Sequence, residues 1–348
     1  MAADHILTFA RTLDGGGVER AQLRLARAWI EAGRRVTLLI GDRSGPLATE
    51  LPPGLDLVDL GTPSFCALAT ALPRLIRDRR PDLLFCAGSY YTSAAAWARL
   101  VLGLASPPIV AKMSNAPDRG DHGILLDIAH RRWLTLHGRF LDALVAMTPA
   151  TAATAARLLR MDGRVSVIPN PPPPPVPGAV PVALPGTRVI LGVGRLVPQK
   201  RWDRLIDVIP LLPADVTVVI LGEGPLRADL AAKAAAGADR VHLPGHVANP
   251  VAMMEVARVI ALTSDYEGVP GVLREALSVG TPVVSTDSSE AIAEIVIDAS
   301  LGTIVPRDDP QALARALTHW LDAPRPPPVP LPGLDSGARY LALFDSLV

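Results

Sequence analysis

Cysteine is scarce in this chain of 348 residues, with Cys66 and Cys86 as the whole supply. Two thiols so placed give neither a disulfide framework nor the ligand spacing of a metal site. A reducing compartment, the cytoplasm, is the default expectation. Aromatic residues make up only 4%, so Ala, Leu and Val must build the core. No apolar run reaches the roughly 18 residues that a membrane-spanning helix needs. The nearest candidate, Ala94 to Ala111, is interrupted by Arg99 and the Pro107–Pro108 pair. The opening "MAADHILTFA" lacks a basic start, a following apolar stretch and a small-residue cleavage site, so no signal peptide is expected. An excess of one charge is also missing: 34 Lys and Arg balance 34 Asp and Glu. That balance argues against nucleic acid as a partner.

What is present is core-forming material. Hydrophobic residues account for 49% and charged residues for 20%, the composition of a folded globular chain, and the length suits two domains of average size. One segment punctuates the chain: "IPNPPPPPVPGAVPVALPG", Ile168 to Gly186. So many prolines do not fit inside a helix or sheet and favour extended polyproline geometry, which reads as a linker. Before it, β-like runs ("HILTFA", "RVTLLI", "DLLFCA", "PIVAK") alternate with Ala/Leu/Arg-rich helical stretches, one of them from about Val18 to Ala32. After it the alternation restarts with "RVILGVG", "DVTVVILG", "RVHLPG", "RVIALTS" and "TPVVSTD". Strands alternating with helices mean parallel, doubly wound α/β sheets. The expectation is two Rossmann-like domains facing across a cleft, residues 1–170 and 187–335, joined by a linker at 171–186. Ligands in such sheets bind beyond the carboxyl ends of the strands. A final amphipathic helix is expected from about Ser336 to Leu347, with Tyr340, Leu341, Leu343, Phe344 and Leu347 apolar.

Charge is unevenly spread. The first 150 residues hold 17 Lys/Arg against 14 Asp/Glu, the remainder 17 against 20. Arg74, Arg77, Arg79 and Arg80 gather around Leu72, Leu75 and Ile76, and Arg131 and Arg132 form a second cluster. Two readings stand: helix faces turned to water, with arginines paired to Asp78 and Asp82, or contact with an anionic membrane surface.

Chemistry concentrates in "DYEGVPGVLREAL", Asp265 to Leu277. Gly268, Pro270 and Gly271 mark a loop entering a helix, whose free N–H groups and partial positive charge suit a phosphate. Glu267 stands before that helix start and Glu275 inside it. Carboxylates accept from pairs of hydroxyls, so the two would suit polyols on either side of a diphosphate: the sugar and ribose of a nucleotide sugar. "GVGRLVPQKRWDRLI" adds Arg195 and Lys200 after a strand end, cations able to neutralise a diphosphate. "LGEGPLR" supplies Gly222, Glu223 and Gly224 in another strand-to-helix turn, and "LDGGGVER" supplies Gly15, Gly16 and Gly17 before the first helix.

Together these residues resemble the retaining GT-B glycosyltransferases of family 4, along nearly the whole chain. The paired-glutamate stretch "YEGVPGVLREALSVGTPVV" is the most specific match; "GEGP", "GGGVERAQLRLA", "VIPNP" and Glu294 in "AIAEIV" are similar to further family segments. The resemblance implies that Glu267 holds the donor sugar and Glu275 the ribose. It implies that Arg195, Lys200 and the backbone N–H groups of Val269, Gly271 and Val272 bind the diphosphate, next to Gly268, Gly222 and Glu223. Gly16 and Gly17 would face the donor from the first domain, and helix 336–348 would cross back onto that domain. It further implies no metal and no cofactor, a UDP- or GDP-sugar donor, and a glycan or lipid-linked glycan acceptor at the inner face of the membrane. Retention would follow from front-face attack assisted by the departing phosphate.

One departure stands out. Where many relatives carry a histidine, this chain reads "IVAKMSNAPDRGDHG", offering Lys112, Ser114 and Asn115, with His122 beyond as a stand-in on the acceptor side. A nicotinamide dehydrogenase would need G-x-G-x-x-G, and "DGGGVER", "GVGRLV" and "GEGPLR" all lack the third glycine. A non-catalytic nucleotide-sugar binder, or a transferase with a soluble small-molecule acceptor, remain the alternatives.

Overall fold

Runs of Val, Ile and Leu bounded by Gly and Pro alternate with Ala- and Leu-rich stretches at helical spacing, and the chain folds accordingly. The computed structural model describes residues 2–14, 16–114, 124–174, 184–235, 239–247 and 249–348. They divide into two compact units, the first made of residues 1–173 with 332–348, the second of residues 174–331.

In the first unit the order is β1 (His5–Thr12), α1 (Gly17–Glu31), β2 (Arg35–Asp42), β3 (Asp56–Asp59), α2 (Phe65–Arg79) and β4 (Leu83–Cys86). It continues with α3 (Thr92–Leu102), β5 (Ile109–Lys112), α4 (Ile124–Leu134), β6 (Ala143–Ala146), α5 (Pro149–Leu159) and β7 (Val165–Val167). The strands form one parallel sheet in the order β3-β2-β1-β4-β5-β6-β7. Buried side chains pack on both faces of it. One layer holds Leu68, Leu72 and Ile76 of α2, Ala94 and Ala98 of α3 and Leu159 of α5. The other holds Leu25 and Trp29 of α1.

The second unit runs β8 (Val189–Val193), α6 (Trp202–Asp207), β9 (Thr217–Leu221), α7 (Arg227–Ala235), β10 (Val241–Gly245) and α8 (Pro250–Val256). It ends with β11 (Val259–Leu262), α9 (Gly271–Ser278), β12 (Val283–Thr286), α10 (Glu290–Ile295), β13 (Gly302–Val305) and α11 (Pro310–Asp322). Its sheet is also parallel, in the order β10-β9-β8-β11-β12-β13. Both sheets are doubly wound, with the strand order reversing at β1/β4 and at β8/β11. Each reversal opens the crevice in which such sheets take ligands.

The last helix, α12 (Ser336–Asp345), belongs to the first unit. Tyr340 and Phe344 close an aromatic cluster with Trp29 and Phe85, ring centroids 5.2–5.9 Å apart. Gly337 lies so close to α1 that an added Cβ would stand 2.6 Å from the Cβ of Ala28. The stretch that leaves β7 is held from the same side: Ser336 Oγ donates to Pro169 O at 2.6 Å, and Arg339 donates to Val167 O at 2.5 Å. Of the segment read as a linker, 171–186, residues 175–183 lie outside the described residues, while Pro171 to Pro174 are described and belong to no helix or strand.

One expectation needs correction. Leu72 and Ile76 of α2 do not face outward beside the arginines; they are buried in the core and Leu75 is half-buried. Arg74 lies 3.9 Å from Asp78 and Arg79 pairs with Asp56 at 3.1 Å, while Asp82 accepts from the His5 N–H. The helix turns its apolar side to the sheet, and no membrane-inserting set remains on it. No helix of the described residues is long and apolar enough to cross a membrane.

Candidate active site

The carboxyl ends of β8, β9 and β10 are laced together by backbone. Gly194 N–H donates to Leu221 O, Leu196 N–H to Glu223 O, and Gly222 N–H to Gly245 O, all at 2.8–2.9 Å. Gly222 sits at φ +140°, and a Cβ there would stand 2.0 Å from Gly194 O. Only glycine meets both conditions. Beneath this corner Trp202 is buried, its indole N–H donating to Arg195 O at 3.0 Å. The Arg195 side chain itself is exposed. Glu223 reaches over the end of β10: its carboxylate pairs with Arg227 at 2.9 Å and lies 2.6 Å from where a Cβ on Gly245 would stand.

Lys200 ends a single helical turn, Pro198–Lys200, and the next residue, Arg201, is left-handed at φ +46°. β11 neighbours β8, so the loop after β11 runs alongside this turn. Thr263 Oγ1 donates to the carbonyls of Lys200 and Arg201. Asp265 N–H donates to Gln199 O, and Gln199 Nε2 to Tyr266 O at 2.7 Å. Asp265 carboxylate takes Arg204 at 2.6 Å and Arg201 at 3.3 Å, and Arg307 reaches Asp265 O. Arg201 also clasps Asp203; these bonds, Asp203 first, raise its pKa above the ordinary guanidinium value.

The result of this zipping is one contact. Lys200 Nζ donates to Glu267 Oε1 at 2.5 Å, with both side chains largely buried. Ser264 Oγ donates to the same oxygen at 2.6 Å, and Glu267 N–H is held by Ser288 O. Sequence reasoning placed both residues at the site but not against one another, since they lie 67 positions apart. The roles of Ser264, Gln199 and Asp265 were not read from the sequence, because they arise only from two strand ends being neighbours.

Beyond Glu267 the chain enters α9. Its N-cap is Pro270, with no side chain capping it, and a Cβ on Gly271 would meet nothing within 4 Å. The loop is held from behind by Ser289 Oγ on Gly268 O at 2.5 Å. This leaves a helix N-terminus open to an anion beside the Lys200–Glu267 pair. Val269 and Val272 pack on the core beneath it. Glu275, half-buried, stands in the second turn. Arg274 next to it has its pKa lowered by burial, against the pull of Glu294. Glu294 therefore acts on α9 from the neighbouring helix.

In the first unit, Gly16 caps α1 and Gly17 opens it; Glu19 folds back so that its carboxylate fills the space a Gly16 Cβ would occupy. Lys112, at the carboxyl end of β5, is buried and donates to Asn170 Oδ1 at 2.8 Å. Burial pulls its pKa down to about 8, and the carboxylate of Glu19 resists this. It fastens the end of β5 to the exit of β7. Ser114 donates to Ala87 O. Gly15, Asn115 and His122 lie outside the described residues.

Two family models match this chain: "Glycosyl transferases group 1" over residues 187–323 and "Glycosyltransferase Family 4" over residues 15–172. Among curated relatives, the chain is 34% identical over 137 residues to an N-acetylgalactosamine-N,N'-diacetylbacillosaminyl-diphospho-undecaprenol 4-alpha-N-acetylgalactosaminyltransferase of Campylobacter jejuni, covering 39% of this chain and 38% of that protein. It is 33% identical over 166 residues to the D-rhamnosyltransferase WbpZ of Pseudomonas aeruginosa, covering 46% and 42%. The chain thus spans about two fifths of the length of these relatives. Among solved structures, Anabaena Alr3699/HepE in complex with UDP and glucose superposes with a TM-score of 0.74 at 16% identity, over 99% of this chain and 95% of the other. That likeness shows the fold: GT-B, two Rossmann-like domains. With one model matching on each side of the proline segment, the chain belongs to the group 1, family 4 type of glycosyltransferases.

Proposed function

We propose that this protein moves a sugar from a UDP- or GDP-sugar to a glycan or lipid-linked glycan, keeping the anomeric configuration, at the inner face of the cell membrane. The observation that carries the reading is the Lys200–Glu267 contact beside the uncapped start of α9. Without donor, lysine and glutamate neutralise each other. With donor, Lys200 turns to the diphosphate, joined by Arg195 and the N–H groups of Val269, Gly271 and Val272. Glu267 then accepts from sugar hydroxyls and Glu275 from the ribose. The C1–O bond to phosphate breaks as the acceptor oxygen bonds to C1 on the same face. The acceptor's proton passes to the departing phosphate oxygen, whose charge the cations and the helix start stabilise. These groups supply the neutralisation that a metal supplies elsewhere, so none is needed.

A melting experiment tests this. UDP or GDP at about 100 times its dissociation constant should stabilise the protein by roughly 2.7 kcal/mol, with EDTA present. Silence toward UDP, GDP and ADP alike would remove the donor site; a response abolished by EDTA would remove the metal-free mechanism. Glu275→Gln should act differently from changes at Lys200. An amide keeps one acceptor oxygen toward the ribose but loses its charge, so nucleotide affinity should fall by about tenfold. Unchanged affinity by calorimetry would take Glu275 off the ribose.

A further inference from the structure

Helix α3 is apolar on two sides. Its inner side, Ala94, Ala95, Ala98 and Leu102, is buried on the sheet. Its outer side carries Trp97, 45% exposed, Leu100, 75% exposed, and Val101, and the stripe continues one turn on with a fully exposed Leu104. These positions fall at helical spacing and form a single ridge. The one charge on the helix does not interrupt it: Arg99 donates to Phe140 O and pairs with Asp142. Exposed apolar side chains scattered singly need no explanation, but a contiguous ridge marks an interaction surface.

Arginines stand around it. In the same layer α2 exposes Arg74 and Arg77, and the stretch ending α4 exposes Arg131, Arg132 and, just beyond, Arg139. Among the described side chains of α2 and of α4 through Arg139, the exposed acid is Asp78, which lies 3.9 Å from Arg74. A second copy of the chain docking ridge to ridge would bring arginines against arginines, a like-charge contact that disfavours it. Anionic headgroups complement the same charges, and Trp beside Leu is the side-chain pairing that settles at the boundary of headgroups and acyl chains.

We infer that the α3 ridge, Trp97, Leu100, Val101 and Leu104, seats this protein on an anionic lipid bilayer. The inference rests on the lipid-linked acceptor reading, and it moves the contact from α2 to α3. α2 contributes arginines alone.

The full chain is to be co-sedimented with phosphatidylglycerol-containing vesicles and with neutral phosphatidylcholine vesicles, at low and high salt. Binding should favour the anionic vesicles and weaken, without vanishing, in high salt. The double variant Leu100→Ser/Leu104→Ser should cut the bound fraction by about tenfold or more. Arg74→Gln/Arg77→Gln should weaken binding at low salt only. Failure of the wild type to bind anionic vesicles would overturn the inference, as would undiminished binding by the leucine variant. A concentration-dependent dimer lost in the leucine variant would also overturn it, assigning the ridge to a second copy. Nucleotide-induced melting shifts, measured on the same preparations, keep the two readings apart: they should be equal in wild type and both variants. Vesicle binding with no nucleotide response would sink the enzyme reading and leave the surface standing.

Discussion

Lys200→Ala is expected to lower turnover by about two orders of magnitude or more. The lysine has two duties, one seen in the fold and one proposed for the reaction. In the fold its ammonium is 2.5 Å from Glu267, at 15% and 9% side-chain exposure. Deleting one partner of such a pair leaves a buried carboxylate with Ser264 as its remaining side-chain donor, at a cost of about 3 kcal/mol or more. In the reaction the same cation balances charge that grows on the leaving diphosphate. Melting and turnover must therefore be read together. A folded Lys200→Ala protein, saturated with donor, that turns over at near-normal rate would remove the lysine from the mechanism. Lys200→Arg is the informative companion. Its fork does not fit the space of a compact ammonium between Glu267 and Gly194, whose added Cβ would already be 3.2 Å from Lys200 Cε. It should recover stability better than activity.

Gly222→Ala should produce the largest loss of stability. Its φ of +140° is foreign to a residue with a Cβ, and that Cβ would sit 2.0 Å from a backbone oxygen, which has no rotamer to move to. A cost of about 3 kcal/mol or more follows, or a fall of roughly 6–12 °C in the melting temperature of the second unit. The sequence reading set Gly222 beside the donor; the structure shows a glycine required by the approach of two strand ends. The two roles separate by experiment. A stable Gly222→Ala protein with poor nucleotide binding would mean that the Gly194 carbonyl yields and that the donor needs the space.

The alternation of strands and helices was legible because strands buried on both faces read as unbroken Val, Ile and Leu runs. β3, β7 and β13 were not named, being short, half-buried strands at the edges of their sheets; β6, a buried Ala-Leu-Val-Ala run, was legible and was passed over. Glu267 and Lys200 were legible as residue types near strand ends. Their contact was not, since it depends on β8 and β11 pairing across the reversal of strand order. Lys112 was noticed only as a missing histidine; its burial follows from β5 being an inner strand with all four residues buried. The α2 arginines misled for a related reason. An amphipathic helix with leucines and arginines looks the same whether its leucines meet a sheet or a lipid, and the sheet took them. α3 carries the opposite lesson. Its stretch was considered only as a span and set aside, yet an apolar helix with one tethered charge is what a half-exposed docking ridge requires.

The return of α12 to the first unit has a bearing on biogenesis. Trp29 and Phe85 emerge early in translation, while Tyr340 and Phe344, which cover them, emerge only after the whole second unit has been made. The second unit is contiguous in sequence and can fold as it leaves the ribosome; the first, though begun earlier, is completed only when α12 has been made. During that interval the aromatic face of α1 stands open. That face has reason to engage a chaperone, and completion of the first unit is timed by the synthesis of α12, after the second unit, and not by that of its own strands.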